Sequence, residues 1–168
     1  MRWEPNTDLV DAWLENLTHV SPSLIGGWKR CGVQHYYTRI EGLRIPPAGA
    51  MHVGTGAHVS AEKNREGFIK SKKWATVEDA KGVAADAFES RWGEEPPEDQ
   101  SEKGDLLDAT VHHAEIHATE LAPAFRPLHV EQSFTLHVED APWPVEGYVD
   151  VIGTDWRSGS DVIVRDLK

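Results

Sequence analysis

An α/β (α+β) layer fold is predicted, with a central sheet of at least three strands flanked by helices. Three observations carry this. Apolar residues recur at helical spacing as far as residue 122; after Pro127 the period drops to two; and the last two apolar runs are joined by a stretch rich in turn residues. One domain spanning 1–168 is expected, with a helical part (1–125) and a sheet part (126–168).

Each element has its own signal. Residues 6–19 place Leu9, Val10, Trp13, Leu14 and Leu17 near helical spacing. Ser21-Pro22-Ser23 reads as a helix start with proline in the first turn. Leu24, Ile25, Trp28 and Cys31 then form an apolar face that Tyr36, Tyr37 and Ile40 extend, until Ile45-Pro46-Pro47 breaks it. A helix over 50–70 is entered through Gly54 and Gly56, whose poor helix propensity suggests a close approach by backbone or ligand. Val77, Ala80, Val83, Ala84, Ala87, Phe88 and Trp92 mark a helix over 76–92. The acidic Gly93–Asp99 stretch reads as a surface loop, and 102–122 as another helix. Leu128, Val130, Gln132, Phe134, Leu136 and Val138 alternate as in a half-buried strand. Pro144–Gly153 and Asp161–Lys168 follow as two more strands, linked by Gly153–Gly159.

Composition bounds the function. The chain has 168 residues, 39% hydrophobic and 27% charged, enough for a real core. No apolar run approaches the roughly 20 residues of a membrane span. Met1–Pro5 lacks a signal-peptide core, and the single cysteine, Cys31, excludes an internal disulfide; both favour the cytoplasm and no membrane partner. The net charge of −11 opposes nucleic-acid binding at first sight. The charge is uneven, however: residues 1–75 carry ten Lys and Arg against seven acids, and residues 76–168 seven against twenty-one. Lys29, Arg30, Lys63 and Arg65 in the basic half are candidate phosphate contacts. Trp156, at a turn, is a candidate base-stacking residue.

The chemistry sits in the last strands. Asp166 and Lys168, two apart, share a strand face, and Asp150 lies on the preceding strand. If these strands form a hairpin, two carboxylates approach each other and call for a cation between them. Oxygen ligands of this kind favour Mg²⁺ or Mn²⁺. The ion would polarise a phosphoryl oxygen, while Lys168 would orient or deprotonate water or stabilise developing charge.

Taken in order, five segments resemble one family. They are Ser21–Ile25 with Cys31 and Tyr36-Tyr37; Pro46-Pro47 with Gly54-Thr55-Gly56-Ala57-His58; Val130-Glu131-Gln132-Ser133-Phe134; Pro144–Ile152; and Val162–Lys168. Together they resemble the RecB-like branch of the PD-(D/E)xK nuclease superfamily, which includes Cas4-type and phage-encoded exonucleases. The resemblance implies a restriction-endonuclease-like core with a mixed sheet. It also implies a metal-dependent deoxyribonuclease, an exonuclease acting on DNA in recombination, repair or phage DNA processing. By position, His58, Asp150 and Asp166 would be metal ligands, and the Leu167 carbonyl would complete the shell. Lys168 would be catalytic and Glu131 an accessory acid. A helicase or recombination partner is left open.

Relatives continue past this lysine with a threonine and a glutamine–tyrosine helix. A C-terminally truncated core is therefore expected, which leaves a non-catalytic DNA-end or protein-binding module as an alternative reading. Some relatives bind an iron–sulfur cluster through four cysteines; Cys31 alone cannot. A third reading is a zinc-binding helical domain using His113 and His117, four apart on one helix face.

Overall fold

The computed structural model describes residues 4–155 and 161–165. Trp156, Asp166, Leu167 and Lys168 lie outside them, so their expected roles are neither supported nor opposed by the coordinates. Two compact units divide the chain: Met1–Ile45 with Ser133–Tyr148, and Pro46–Gln132 with Val149–Lys168. The division cuts across the helical and sheet parts rather than between them. No described helix is long and apolar enough to cross a membrane.

The first unit is made of short helices. Helix α1 (Thr7–Glu15) begins where Asn6 accepts hydrogen bonds from the amides of Asp8 and Leu9. It stops short of residue 19 and buries no residue, although its apolar spacing predicted a core face. Helix α2 (Pro22–Arg30) is capped by Ser21 and opens on proline as predicted. The predicted continuous helix is interrupted at Cys31, which is extended (φ −159°). There the Cys31 sulfur accepts from the Gln34 amide and starts α3 (Gly32–His35). That helix runs into a π-helical turn, Tyr36–Ile40. Buried His35 meets Trp13 and Trp28 edge-on, with ring centroids 6.0 and 5.6 Å apart.

The second unit holds the long helices α4 (Gly49–Ser71), α5 (Val77–Glu94) and α6 (Lys103–Ile116), which pack pairwise. Val53, Phe88 and Trp92 form their core, with Leu106, Leu107 and Ala109 against it. Gly54 and Gly56 lie inside α4 rather than at its entrance. Gly56 marks a close backbone approach: a Cβ there would sit 2.5 Å from Thr110 Cγ2 and 2.9 Å from the Ala84 carbonyl oxygen. The Ser60 hydroxyl donates to the Ala80 carbonyl at 2.7 Å, fixing α4 against α5. Helix α6 passes into a second π-helical turn, His117–Leu121, closed by the Ala122 amide donating to the His117 carbonyl.

Three strands, β1 (Phe125–Leu136), β2 (Val145–Asp155) and β3 (Val162–Arg165), form one sheet in that order. β2 and β3 run antiparallel, with Val151 opposite Arg165 and Thr154 opposite Val162. Eight residues join β1 to β2, too few for a parallel crossover, so that pair is antiparallel as well. The only parallel step among the described residues is a lone bridge from Val20 to Val145.

β1 departs from the predicted alternation. Phe125 and Pro127 are buried, Leu128 and Leu136 are exposed, and the consecutive Val130 and Glu131 are both half-buried. Glu131 interrupts the strand: its φ of 48° is left-handed, a conformation rare for a non-glycine residue. Such a residue inside a strand shifts the faces by one position, as a bulge does.

Candidate metal centre

Helix α4 supplies the first side chain. Gly54, His58, Ala61 and Arg65 follow at steps of four, three and four, so they share one face. His52, six residues before His58, points elsewhere: it is 1% exposed, its ring centroid 5.3 Å from that of Trp92. The tight contact at Gly56 sets the helix rotation that sends one histidine to the core and the other to the site.

The sheet supplies the rest, from β1 and β2. Glu131 Oε1 lies 3.1 Å from His58 Nε2, and Asp150 Oδ2 lies 3.9 Å from His58 Nδ1. His58, Glu131 and Asp150 each offer one ligand atom, all within 4.8 Å of one another. All three belong to the second unit. Asp150 is the most enclosed, with its side chain 18% exposed.

The geometry divides the labour. A carboxylate accepts, so the 3.1 Å contact makes Nε2 the donor, and Nδ1 is the nitrogen on the side of Asp150. At 3.9 Å, Nδ1 and Oδ2 are too far apart for a hydrogen bond. A histidine whose second nitrogen donates to a carboxylate is the usual oriented metal ligand. One nitrogen and two carboxylates thus fit a divalent cation.

Arg65 completes the electrostatics. A candidate phosphate contact from sequence, it is 5% exposed, so it stands beside the site acids and not on an outer basic face. Burial pushes its guanidinium below arginine's usual range, Asp150 pulls it back up, Arg165 pushes it down and Glu131 pulls it up. It remains a cation. Its burial was missed because charge counting ignores position; its spacing of seven from His58 placed it on the site face. Lys29, Arg30 and Lys63 are exposed, as a surface contact requires.

The helix face borders a cavity of about 600 Å³, which His58, Arg65, Trp74, His117, Leu121 and Phe125 help to line. His113 also lines it, yet His113 and His117 join no group of three ligands among the described residues. Burial, and then the Arg65 charge, hold His117 down to about 4. The cavity itself had no signal in the sequence beyond Gly54.

Residues 19–168 match the family model of the PD-(D/E)XK nuclease superfamily. No curated protein and no solved structure gave a match.

Proposed function

The chain belongs to the PD-(D/E)XK nuclease superfamily, and from that premise we propose that it is a Mg²⁺- or Mn²⁺-dependent deoxyribonuclease of the RecB-like, Cas4-type branch. It hydrolyses phosphodiester bonds as an exonuclease, in recombination, repair or phage DNA processing. The observation that carries this reading is the convergence of His58, Glu131 and Asp150, from one helix and two strands, within 4.8 Å. The branch is supported by two of its motifs meeting: the helix histidine and the Val-Glu-x-x-Phe glutamate touch at 3.1 Å.

His58 Nδ1 and Asp150 would hold the ion, and Glu131 would orient the imidazole and supply a further oxygen. When bound, the cation offsets charge on the scissile phosphate and lowers the pKa of water. Arg65, buried beside these acids, adds fixed positive charge that a phosphate group can use. Lys168, outside the described residues, takes its role from the family motif: it positions or deprotonates the attacking water. Asp166 and the Leu167 carbonyl would complete the ligand shell on the same ground.

Degradation of end-labelled linear DNA by the full chain tests this. Activity should require Mg²⁺ or Mn²⁺, spare a circular substrate, and fall by about a hundredfold or more in Asp150→Ala and in Lys168→Ala. Activity persisting in both variants would overturn the assignment. DNA binding without cleavage in Mn²⁺ would point instead to a non-catalytic module.

A further inference from the structure

The cavity beside the metal centre has a composition that phosphate chemistry alone does not require. Ala57, Ala61, Ile116, Leu121, Phe125 and Trp74 give it an apolar wall. One face of Trp74 stacks on Phe68, with centroids 4.3 Å apart at 22°, so the indole is held in place. Arg165 lies 4.6 Å over the Phe125 ring. His58 and Arg65 stand at the polar side, and both also belong to the centre that would hold a phosphodiester. The space, about 600 Å³, is within the range of pockets that enclose a small organic ligand.

We infer that this cavity receives one unstacked nucleobase of the strand whose phosphate lies at His58, Glu131 and Asp150. The inference rests on the nuclease reading and deepens it: the substrate is a single strand or a frayed end, because a base enters such a cavity only when unpaired. The occupant follows from the charge layout. A nucleotide is apolar and flat at one end and anionic at the other. Here an apolar wall with fixed aromatics adjoins a buried guanidinium and a metal-ligand set. Stacking on aromatic faces accepts any base, which suits an enzyme that consumes a strand without reading its sequence. His117, held neutral by burial and by Arg65, offers the base edge a donor or an acceptor without a competing charge.

Gly54 makes the idea testable. It lines the cavity, and a Cβ added there meets nothing within 4 Å. Leucine at this helical position removes a poor helix former while filling the space. The experiment measures binding of a labelled short oligo-dT, and of an abasic strand of equal length and charge, to the full chain in Ca²⁺. The wild type should bind oligo-dT about tenfold more tightly. Gly54→Leu should erase the difference by weakening oligo-dT alone, and Gly54→Ala should fall between. Circular dichroism and melting report whether the variants fold, and Trp74→Leu carries the same test should Gly54→Leu not fold.

Equal binding of both strands by the wild type overturns the inference, as does a preference that survives in folded Gly54→Leu. Stoichiometric Zn²⁺ uptake lost in His113→Ala but not in Asp150→Ala would put an ion in the cavity and overturn it too. The two readings fail separately: base preference without cleavage in Mg²⁺ or Mn²⁺ keeps the base site and sinks the nuclease, whereas cleavage without base preference does the reverse.

Discussion

The two compact units spend their hydrophobic residues differently. In the first, α1 and α2 bury no residue, and Trp28 is 60% exposed. In the second, α5 alone buries Ala80, Ala84, Phe88 and Trp92, and Ala84 and Phe88 are fully enclosed. The candidate metal ligands all stand in the second unit. Ligand atoms must hold their positions to a fraction of an ångström, and packed helices and strands give side chains that precision.

The comparison can be broken most forcefully at the cores. Phe88→Ala should cost about 3–5 kcal/mol, the usual toll of a large buried aromatic, and Trp28→Ala less than about 1 kcal/mol. Denaturant unfolding of the two variants measures both; similar losses would erase the distinction between the units.

Acid sharpens the contrast next. His117 sits at about 4 in the folded chain against an ordinary 6.5. Between those pH values the unfolded chain takes up a proton that the folded chain refuses, so stability falls as pH drops from about 6.5 towards 4. The group contributes no slope above that window. The full effect is about 3 kcal/mol. Unfolding series at pH 7, 5 and 4 should show it, and His117→Asn should flatten the curve. A remaining slope in the same direction is expected from His35 of the first unit, lowered by burial and by Arg39.

The smallest test uses glycines inside helices. Gly56→Ala drives a methyl group against Thr110 and the Ala84 carbonyl and should destabilise by about 1–3 kcal/mol. Gly26→Ala meets nothing within 4 Å and should stabilise by about 0.5–1 kcal/mol through helix propensity. Opposite signs in thermal melts are the expected outcome.

Much of this architecture was legible. Helical spacing placed α4, α5 and α6, and the change of period located the sheet to within a few residues. The family resemblance named His58, Glu131 and Asp150, and the structure brings their ligand atoms within 4.8 Å of one another. What stayed hidden has physical causes. The break at Cys31 depends on a thiol acting as a cap, which no periodicity reports. The faces of β1 depart from simple alternation, with the odd-numbered Phe125 and Pro127 buried before the left-handed Glu131 and the even-numbered Phe134 half-buried after it. The burial of Arg65 stayed hidden because its compensating acids come from strands about 65 and 85 positions later in the sequence.

That left-handed residue is Glu131 itself, the acid that grips His58. An L-amino acid in this backbone region carries a steric penalty of about 1 kcal/mol or more, which glycine would avoid. A glycine here would relieve that strain and leave the imidazole without its 3.1 Å carboxylate partner. Under the proposed function, thermal endurance and turnover would therefore pull this one codon in opposite directions, and laboratory evolution for heat resistance alone should drift towards a sturdier, less active protein.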